Sequence, residues 1–224
     1  MYTLFLAGNR LQTENALIKF DLLRRQVEVL ATFSKVIVLS DDESLMELSD
    51  LSDQVVFRKV PPNTAGALAT ASYGLSEISA DEPLIIVPSN ALVLNDGIHS
   101  FQSLMRQKSM SVGAITFQET NPLYSYARVD KFGNIIEITE KQVFGSCALA
   151  GIYYFGNKNI FINCVEWAMV NSVQTQDIFY ISPALNYFLA NGMTISLFEI
   201  PTQDYKRVYF AKTENGGFER NGSL

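Results

Sequence analysis

Several polar residues occupy positions where an α/β protein could bind a phosphorylated ligand. Glu140 and Lys141 close a predicted strand, and a lysine at a strand end can bind phosphate as a point charge. The small residues at 63–66 precede a predicted helix, where free backbone N–H groups can meet a phosphate or a nucleobase edge. A solvated strand end and a tight strand-to-helix turn account for the same residues without a ligand. The chemistry indicated is phosphate recognition, provided that the fold brings these residues together.

Two further polar segments follow predicted buried strands. Gly8 and Arg10 come after a strand at residues 2–7, whereas Ser89 and Asn90 come after a strand at residues 84–87. In open parallel sheets, ligands bind at the carboxyl ends of the strands, near the point where the strand order reverses. We therefore expect both segments to border a binding crevice.

The composition predicts a globular protein and argues against nucleic acid as a partner. The chain has 224 residues, 48% of them hydrophobic, which is enough for a sizeable core. Its net charge is −6, and the lysines and arginines are scattered rather than clustered. The apolar residues 1–7 have no basic segment before them and are too few for a signal peptide or a membrane span, so a cytoplasmic location without membrane attachment is expected.

The single histidine and the two cysteines point away from other kinds of site. His99 follows a predicted turn at residues 95–97, and no nucleophile elbow accompanies it, so a Ser-His-Asp triad is disfavoured. Cys147 and Cys164 lie in separate predicted elements, with no Cys-x-x-Cys spacing and no histidine nearby. We expect two buried thiols rather than a metal site or a disulfide.

The order of predicted elements indicates an α/β fold. The predicted strands of the first half are residues 2–7, 35–39, 54–60 and 84–87, and the helices between and after them are residues 16–30, 44–48, 63–75 and 101–108. The second half adds strands at 112–117, 126–130, 135–139, 151–155 and 194–200, and helices at 160–170 and 182–190. Apolar strands alternating with helices predict a single-domain three-layer αβα fold, with a mostly parallel central sheet and a small antiparallel β subdomain. Residues 1–210 are expected to form this domain, and residues 211–224 a polar, flexible tail.

Taken together, these segments resemble the sugar-phosphate nucleotidylyltransferases, a family with a glycosyltransferase-A-like fold, and in particular the branch found with capsule and lipopolysaccharide biosynthesis. The resembling segments follow the family's order and are residues 64–67, 81–86 with 89–90, 124–127, 130–134, 140–141, 151–155 and 179–183, together with Asn186.

The resemblance implies a reaction and a set of ligand-binding residues. The phosphate of a sugar 1-phosphate attacks the α-phosphorus of a nucleoside triphosphate, and Mg²⁺ neutralises the phosphate charge. The nucleotide side of the site would comprise Gly8, Asn63, Thr64, Ala65, Gly66, Ser89 and Asn90. The sugar-phosphate side would comprise Tyr126, Glu140, Lys141, Gly151 and Asn186.

The sequence departs from the family pattern at three positions of the phosphate-activating part. The Gly-rich phosphate loop is shortened to residues 7–10, in which Arg10 is the candidate for the loop arginine. Asn15 replaces the phosphate-binding lysine, and Lys19 lies four residues later as a substitute only if the backbone shifts. Asn90 stands in place of the carboxylate that holds Mg²⁺, and an amide is a poorer ligand for that ion. Asp96 is the nearest carboxylate in sequence. We therefore expect impaired catalysis and assign no metal ligand.

Three functions remain open. The first is a nucleotidyltransferase-like protein of surface polysaccharide biosynthesis that handles a sugar 1-phosphate and a nucleoside triphosphate. The second is a non-catalytic module that binds these ligands or regulates an active homologue, so that the protein partner is either that homologue or a second copy of the chain. The third, a related glycosyltransferase, needs an Asp-x-Asp-like motif, and its only candidate, Asp41 with Asp42, is better explained as a helix cap.

Overall fold

The computed structural model of the protein describes residues 1–8, 16–62 and 65–208, and within the first helix it describes the side chains from Phe20 onward. The strands of this part of the chain are β1 (Tyr2–Leu6), β2 (Lys35–Ser40), β3 (Val55–Lys59), β4 (Leu84–Pro88), β5 (Ala91–Val93), β6 (Val112–Gln118), β7 (Ser125–Val129), β8 (Ile135–Glu140), β9 (Cys147–Phe155), β10 (Ser196–Glu199) and β11 (Tyr205–Arg207). The α-helices are α1 (Ala16–Ala31), α2 (Ala67–Ser72), α3 (Gly97–Gln107), α4 (Lys158–Val170), α5 (Ile181–Ala184) and α6 (Asn186–Ala190). Segments of 3₁₀ helix occupy Glu43–Leu51, Tyr73–Glu77 and Thr202–Asp204.

The central sheet is mostly parallel, as the sequence predicts. Its strand order is β10-β6-β9-β4-β1-β2-β3, and β9 runs antiparallel to both of its neighbours while the other pairs along this path are parallel. The chain builds outward from β1 to β2 and β3 on one side and places β4 on the other side. The strand order therefore reverses between β1 and β4, where open α/β sheets bind their ligands.

The sheet is buried on both faces, which accounts for its nearly continuous apolar strands. Along β1, Leu4 packs in one core cluster with residues of α2, α4, α5 and α6, whereas Phe5 packs in a second cluster with residues of α1 and α3. Successive side chains of a strand point to opposite faces, so the central strands β1, β2, β4 and β9 supply both clusters. This arrangement is the predicted three-layer αβα architecture.

Strand β9 contains a β-bulge near the candidate site. The register between β6 and β9 shifts between the pairs Ala114↔Tyr153 and Thr116↔Leu149. Gly151 lies in the extra segment with a φ of 81°, a conformation that favours glycine. The predicted strand at residues 151–155 therefore begins earlier, at Cys147, and continues through the bulge.

The antiparallel part is the hairpin of β7 and β8, attached to β9 through β7. Its turn is held by Asp130, whose carboxylate accepts hydrogen bonds from the backbone N–H groups of Phe132 (2.8 Å) and Asn134 (2.9 Å). The Asn134 side chain and these N–H groups lower the pKa of the Asp130 carboxyl. The hairpin predicted from residues 131–134 is confirmed.

Four details differ from the sequence prediction. The helix predicted after Asp42 is a 3₁₀ helix, in which the buried Leu45 and Leu48 share one face at a spacing of three residues. Asp42 caps it by accepting a hydrogen bond from the Ser44 N–H at 3.0 Å. The helix predicted at 63–75 has its α-helical part at α2, and the helix predicted at 182–190 divides into α5 and α6. Strands β5 and β11, of three residues each, were not predicted. The predicted tail lies outside the described residues.

Candidate functional site

A pocket of about 180 Å³ opens at the carboxyl ends of β1 and β4. Leu6 and Pro88, the last residues of these strands, line it, and Gly151 of β9 lies opposite. The remaining walls come from the hairpin β7–β8, from α5 and from β11. The pocket is therefore located where the strand order reverses, and it is smaller than the roughly 300–1,000 Å³ typical of pockets for drug-sized ligands.

Glu140 lies at the centre of a hydrogen-bond network on one side of the pocket. The hydroxyl groups of Ser125 and Ser182 both donate to its Oε2, at 2.6 Å from Ser182, and the two serine oxygens are 2.9 Å apart. Ser125 and Glu140 are paired across β7 and β8, and Ser182 lies in α5. Three elements thus fix the direction of one carboxylate, and all three residues line the pocket.

Tyr153 supplies a neutral hydroxyl beside this network. Burial raises the pKa of the Tyr153 phenol far above its ordinary value of 10.0, and the Glu140 charge adds to the rise. Hydrogen bonds with Ser182 and Ser125 oppose the shift but are smaller. The phenol therefore stays protonated at neutral pH and remains a hydrogen-bond donor.

Lys141 lies at the rim of the same side. Its Nζ donates to the Tyr180 hydroxyl at 3.0 Å and lies 5.1 Å from the centroid of that ring. Lys141 adopts a φ of 56°, and its N–H donates to the Tyr124 carbonyl at 3.1 Å. Since Tyr124 and Tyr180 both line the pocket, the ammonium group is held next to it.

Ser89 and Asn90 follow β4 on the other side of the pocket. The Ser89 N–H donates to the Leu6 carbonyl at 2.9 Å, and the Ser89 side chain is buried. Asn90 lines the pocket, and its carbonyl accepts a hydrogen bond from the Val208 N–H at 2.9 Å. Asn90 thus faces the site as predicted, while Ser89 extends the pairing of β1 and β4.

Arg207 and Tyr205 reach the pocket from β11 and were missed from the sequence. Strand β11 pairs with β5 in antiparallel fashion, so that Arg207 lies opposite Ala91. The Arg207 NH1 group donates to the Leu123 carbonyl at 2.8 Å. A three-residue strand near the end of the chain gives little periodic signal, and only the charge of Arg207 could have drawn attention to it.

The segment Ala65–Gly66 packs against backbone rather than opening into the pocket. The Phe179 N–H donates to the Ala65 carbonyl at 2.7 Å, and the Phe179 carbonyl accepts from the Leu68 N–H at 3.1 Å. Gly66 has a φ of 119°, and a Cβ atom added to it would lie 2.5 Å from the Phe179 oxygen. The close approach of two backbone segments explains this glycine, and the adjacent Ala67 is the residue that lines the pocket.

The structure does not bring Tyr126 and Asn186 to the pocket. Tyr126 is completely buried in the core cluster on the opposite face of the sheet, and its hydroxyl donates to the Asn121 carbonyl at 2.7 Å. Asn186 pairs with β8, because its Oδ1 accepts from the Ile138 N–H at 2.9 Å and its Nδ2 donates to the Ile138 carbonyl at 2.8 Å. The two residues hold the walls of the site in place, and Ser125, the neighbour of Tyr126 in β7, faces the ligand space instead.

The remaining predicted residues contribute no described contact. Gly8 is exposed and is not among the residues that line the pocket. Arg10, Asn63, Thr64 and the side chain of Lys19 lie outside the described residues. Asp96 is exposed at the start of α3 and does not line the pocket.

The residues of this site do not fit a divalent cation well. Among the described residues that line the pocket, Glu140 is the single carboxylate, and two hydroxyl groups already bind its Oε2. No group of three or more histidine, cysteine, aspartate or glutamate side chains that could hold a metal occurs in the described part of the chain. Asn90 offers an amide, and the Arg207 guanidinium shares the pocket with it. A hard dication prefers several carboxylate or carbonyl oxygens and is repelled by a guanidinium.

The cysteines and the histidine lie away from the pocket. Both cysteines are free, and burial raises the pKa of the thiol of Cys164 and, to a smaller extent, of Cys147. Cys164 is fully buried, whereas Cys147 is only partly so. His99 is exposed on α3, with its ring centroid 5.3 Å from that of Phe33. In the part of the chain that the structure describes, no helix has the length and apolar character needed to span a membrane.

Comparison with known families decides the relationship. The model of the family described as nucleotidyl transferase matches residues 19–193. The chain belongs to the nucleotidyl transferase family. The match begins beyond the shortened loop and beyond Asn15, where the sequence departs most from the pattern. A comparison with curated protein sequences finds no match.

Solved structures of nucleotidyl transferases share the fold at low sequence identity. The nucleoside-diphosphate-sugar pyrophosphorylase from Vibrio cholerae RC9 is 14% identical, with a TM-score of 0.72 over 92% of this chain and 94% of the other. A Bacillus anthracis protein assigned as a glucose-1-phosphate thymidylyltransferase, in complex with sucrose, is 16% identical, with a TM-score of 0.68 over 89% and 87% of the two chains. CMP:2-keto-3-deoxy-manno-octonic acid synthetase complexed with CTP is 10% identical, with a TM-score of 0.64 over 90% of each chain.

Proposed function

We propose that the pocket binds the sugar phosphate of a nucleotidyltransferase reaction, whose second substrate is a nucleoside triphosphate. The observation that carries this proposal is the Glu140 carboxylate, oriented by Ser125 and Ser182 at the reversal point of the sheet, with the Lys141 ammonium at the rim. A carboxylate accepts hydrogen bonds from sugar hydroxyl groups, and an ammonium group binds phosphate. The two charges therefore match the two parts of a sugar phosphate.

The geometry of the Glu140 network supports sugar binding. An ionised carboxylate has about four acceptor positions, of which the serine hydroxyls occupy two at Oε2. Because the serines hold the carboxylate in one orientation, little side-chain entropy is lost when a sugar hydroxyl binds. The pocket volume of about 180 Å³ suits one small group, such as a single sugar ring, better than a whole nucleotide-sugar.

We infer that phosphoryl transfer is impaired in this protein. The transfer depends mainly on positioning and on neutralising phosphate charge. The shortened loop, Asn15 and Asn90 each remove a contact of the kind that contributes about 2–4 kcal/mol of transition-state stabilisation. Such contributions are not additive, but their combined loss lowers turnover by orders of magnitude.

The biological setting that we propose is surface polysaccharide biosynthesis of the capsule or lipopolysaccharide type, in the cytoplasm. A second candidate is a binding module, or a regulatory partner of an active homologue, that uses the same pocket without catalysis. Asn90 and Arg207 line the pocket at the carboxyl end of β4, where a metal-dependent enzyme needs carboxylates, and this favours the second function.

Calorimetry with a panel of hexose 1-phosphates and nucleoside triphosphates, with and without Mg²⁺, tests the proposal alongside a pyrophosphate-release assay. We expect hexose 1-phosphate binding, and pyrophosphate release far below the ordinary enzymatic range of 1–10³ s⁻¹. Glu140→Gln should weaken sugar-phosphate binding by about 10- to 100-fold, because it removes charge-assisted hydrogen bonds.

Glu137→Gln is the matched control, since Glu137 lies on the same strand with its side chain 46% exposed and paired to Arg128. This variant should bind like the unaltered protein. Ordinary turnover would contradict impaired catalysis, whereas the absence of binding to every member of the panel would contradict the proposed ligand class.

A further inference from the structure

Arg207 and Asn90 line the same pocket. The pairing of β11 with β5 places Arg207 opposite Ala91, the residue that follows Asn90. The next residue, Val208, donates its N–H to the Asn90 carbonyl at 2.9 Å. Because Asn90 comes directly after β4, this pairing places the backbone of β11 beside the carboxyl end of β4, and Arg207 lines the pocket there.

Two pocket residues hold the guanidinium in place. Its NH1 donates to the Leu123 carbonyl at 2.8 Å, and its Cζ lies 5.3 Å from the centroid of the Tyr124 ring. Stacking on an aromatic ring and a bond to a carbonyl both restrict the orientation of the planar fork. The cation is therefore part of the pocket wall rather than a mobile surface charge.

The charge distribution of the pocket separates two kinds of ligand group. Glu140, with its two serines, lies on the side of β8 and α5, and Arg207 lies on the side of β5 and β11. An arginine binds phosphate through paired N–H groups and keeps its charge at every physiological pH. Among the described residues, the donors around Asn90 do not favour a dication, and the positive charge at this end is that of Arg207.

We propose that Arg207 binds the phosphate of the ligand directly, in place of a divalent cation, and makes ligand binding independent of metal. This inference rests on the proposed function of the same pocket. It adds a phosphate-binding residue that the sequence did not indicate. It also states that ligand binding needs no metal, whereas the family resemblance implies Mg²⁺.

The test measures the binding of glucose 1-phosphate and inorganic phosphate by calorimetry, in EDTA and in excess Mg²⁺. The unaltered protein should bind each ligand with the same affinity in both buffers. Arg207→Gln should weaken both ligands by about 10- to 100-fold, the usual range for a lost charge-assisted hydrogen bond to phosphate. Arg207→Lys keeps the charge but not the planar guanidinium, and its affinities should lie between those of the unaltered protein and of Arg207→Gln.

Arg128→Gln is the matched control, because Arg128 is also positioned over a ring, with its Cζ 5.6 Å from the Phe144 centroid. It lies on the exposed surface of β7, and its removal should leave both affinities unchanged. Thermal unfolding of each variant shows whether the fold is intact.

The outcomes separate this inference from the proposed function. If binding requires Mg²⁺, the role of Arg207 is overturned and the sugar-phosphate pocket stands. The same conclusion follows if Arg207→Gln leaves binding unchanged while Glu140→Gln abolishes it. If the unaltered protein binds neither ligand, the inference about Arg207 is overturned. If it binds no member of the full hexose 1-phosphate panel, the proposed function is overturned as well.

Discussion

The two ends of the pocket are built in different ways. At the end formed by β8 and α5, Glu140 is held by two serine hydroxyls and lies beside the buried Tyr153 phenol. At the end formed by β4 and β11, Asn90 and Arg207 both line the pocket, and a carbonyl and an aromatic ring hold the Arg207 guanidinium in position. The first end combines a fixed hydrogen-bond acceptor with the neighbouring Lys141 ammonium, and the second carries a fixed guanidinium.

The difference suggests how a binding site and a catalytic site can diverge within one fold. In the proposed function, recognition of a sugar uses an oriented carboxylate, and the network of Ser125, Ser182 and Glu140 holds one. Phosphoryl transfer needs charge that neutralises the transition state, and in the same proposal this requirement falls on the end lined by Asn90 and Arg207. A chain can therefore keep the first end while the second changes.

The largest expected effect comes from disrupting the close backbone contact between Gly66, just before α2, and Phe179. Gly66→Ala places a Cβ atom 2.5 Å from the Phe179 oxygen at a φ of 119°. We expect the free energy of unfolding, measured in urea, to fall by about 3 kcal/mol, because strain and a backbone collision combine.

Gly145→Ala is the control for this variant. Gly145 has a similar φ of 124°, but an added Cβ meets no atom within 4 Å. It should lose only the strain contribution of about 1–2 kcal/mol. Equal losses in the two variants would show that the contact with Phe179 is unimportant.

A smaller effect is expected at the Glu140 end. Ser182→Ala removes one of the two hydroxyls that donate to the half-buried Glu140 carboxylate. We expect a loss of about 1–3 kcal/mol in unfolding free energy and weaker binding of glucose 1-phosphate, both measured against the unaltered protein. Ser49→Ala, which removes an exposed hydroxyl bonded to the Met46 carbonyl, should change neither quantity.

The Arg207 end can be tested by restoring a carboxylate. Asn90→Asp adds a negative charge to the pocket that Arg207 lines, so we expect phosphate-bearing ligands to bind about 5- to 10-fold more weakly by calorimetry. Because Arg207 remains, Mg²⁺ should not restore pyrophosphate release. A metal-dependent rise in turnover would instead show that Asn90 alone limits catalysis. Asn159→Asp, at an exposed position in the first turn of α4, is the control for the added charge.

The smallest effect is expected at the amino ends of β1 and β4, whereas the pocket lies at their carboxyl ends. The Met1 ammonium lies 2.8 Å from the Glu82 carboxylate and lowers the pKa of this carboxyl below its ordinary value of 4.5, through a hydrogen bond and through its charge. A lowered folded pKa stabilises the protein above pH 4.5, and this contribution is lost as the pH falls through the folded pKa.

Glu82→Gln should therefore reduce the unfolding free energy at neutral pH by less than about 1 kcal/mol, since Glu82 is half exposed. The difference from the unaltered protein should disappear in acid. A difference that persists in acid would assign the effect to packing instead of charge, and ligand affinity should be unchanged throughout.

The sequence predicts the layers of this fold well because the main strands are buried on both faces. Runs such as residues 35–39 and 84–87 are apolar throughout and lie between helical segments, which is the pattern of a covered parallel sheet. Short elements carry no such pattern. Strand β11 has three residues, two of them basic, and its pairing with β5 depends on contacts distant in sequence.

The candidate site is predictable in part for the same reason. Glu140, Lys141, Gly151 and Asn90 are all at or beside the pocket, because strand ends are easy to locate. The face of β7 is harder to assign, since Ser125 and Tyr126 are adjacent and point to opposite sides of the sheet. The aromatic residue is buried in the core, and the small hydroxyl faces the ligand space.

The hydrogen bonds of Asn186 have a consequence for how the protein behaves in a crowded solution. Within the part of the chain that the structure describes, β8 pairs with β7 alone, so its other side presents backbone groups that another chain could pair with. Asn186 occupies both the N–H and the carbonyl of Ile138 on that side. A foreign strand would have to displace this amide before it could align, so a single side chain protects the hairpin from edge-to-edge aggregation.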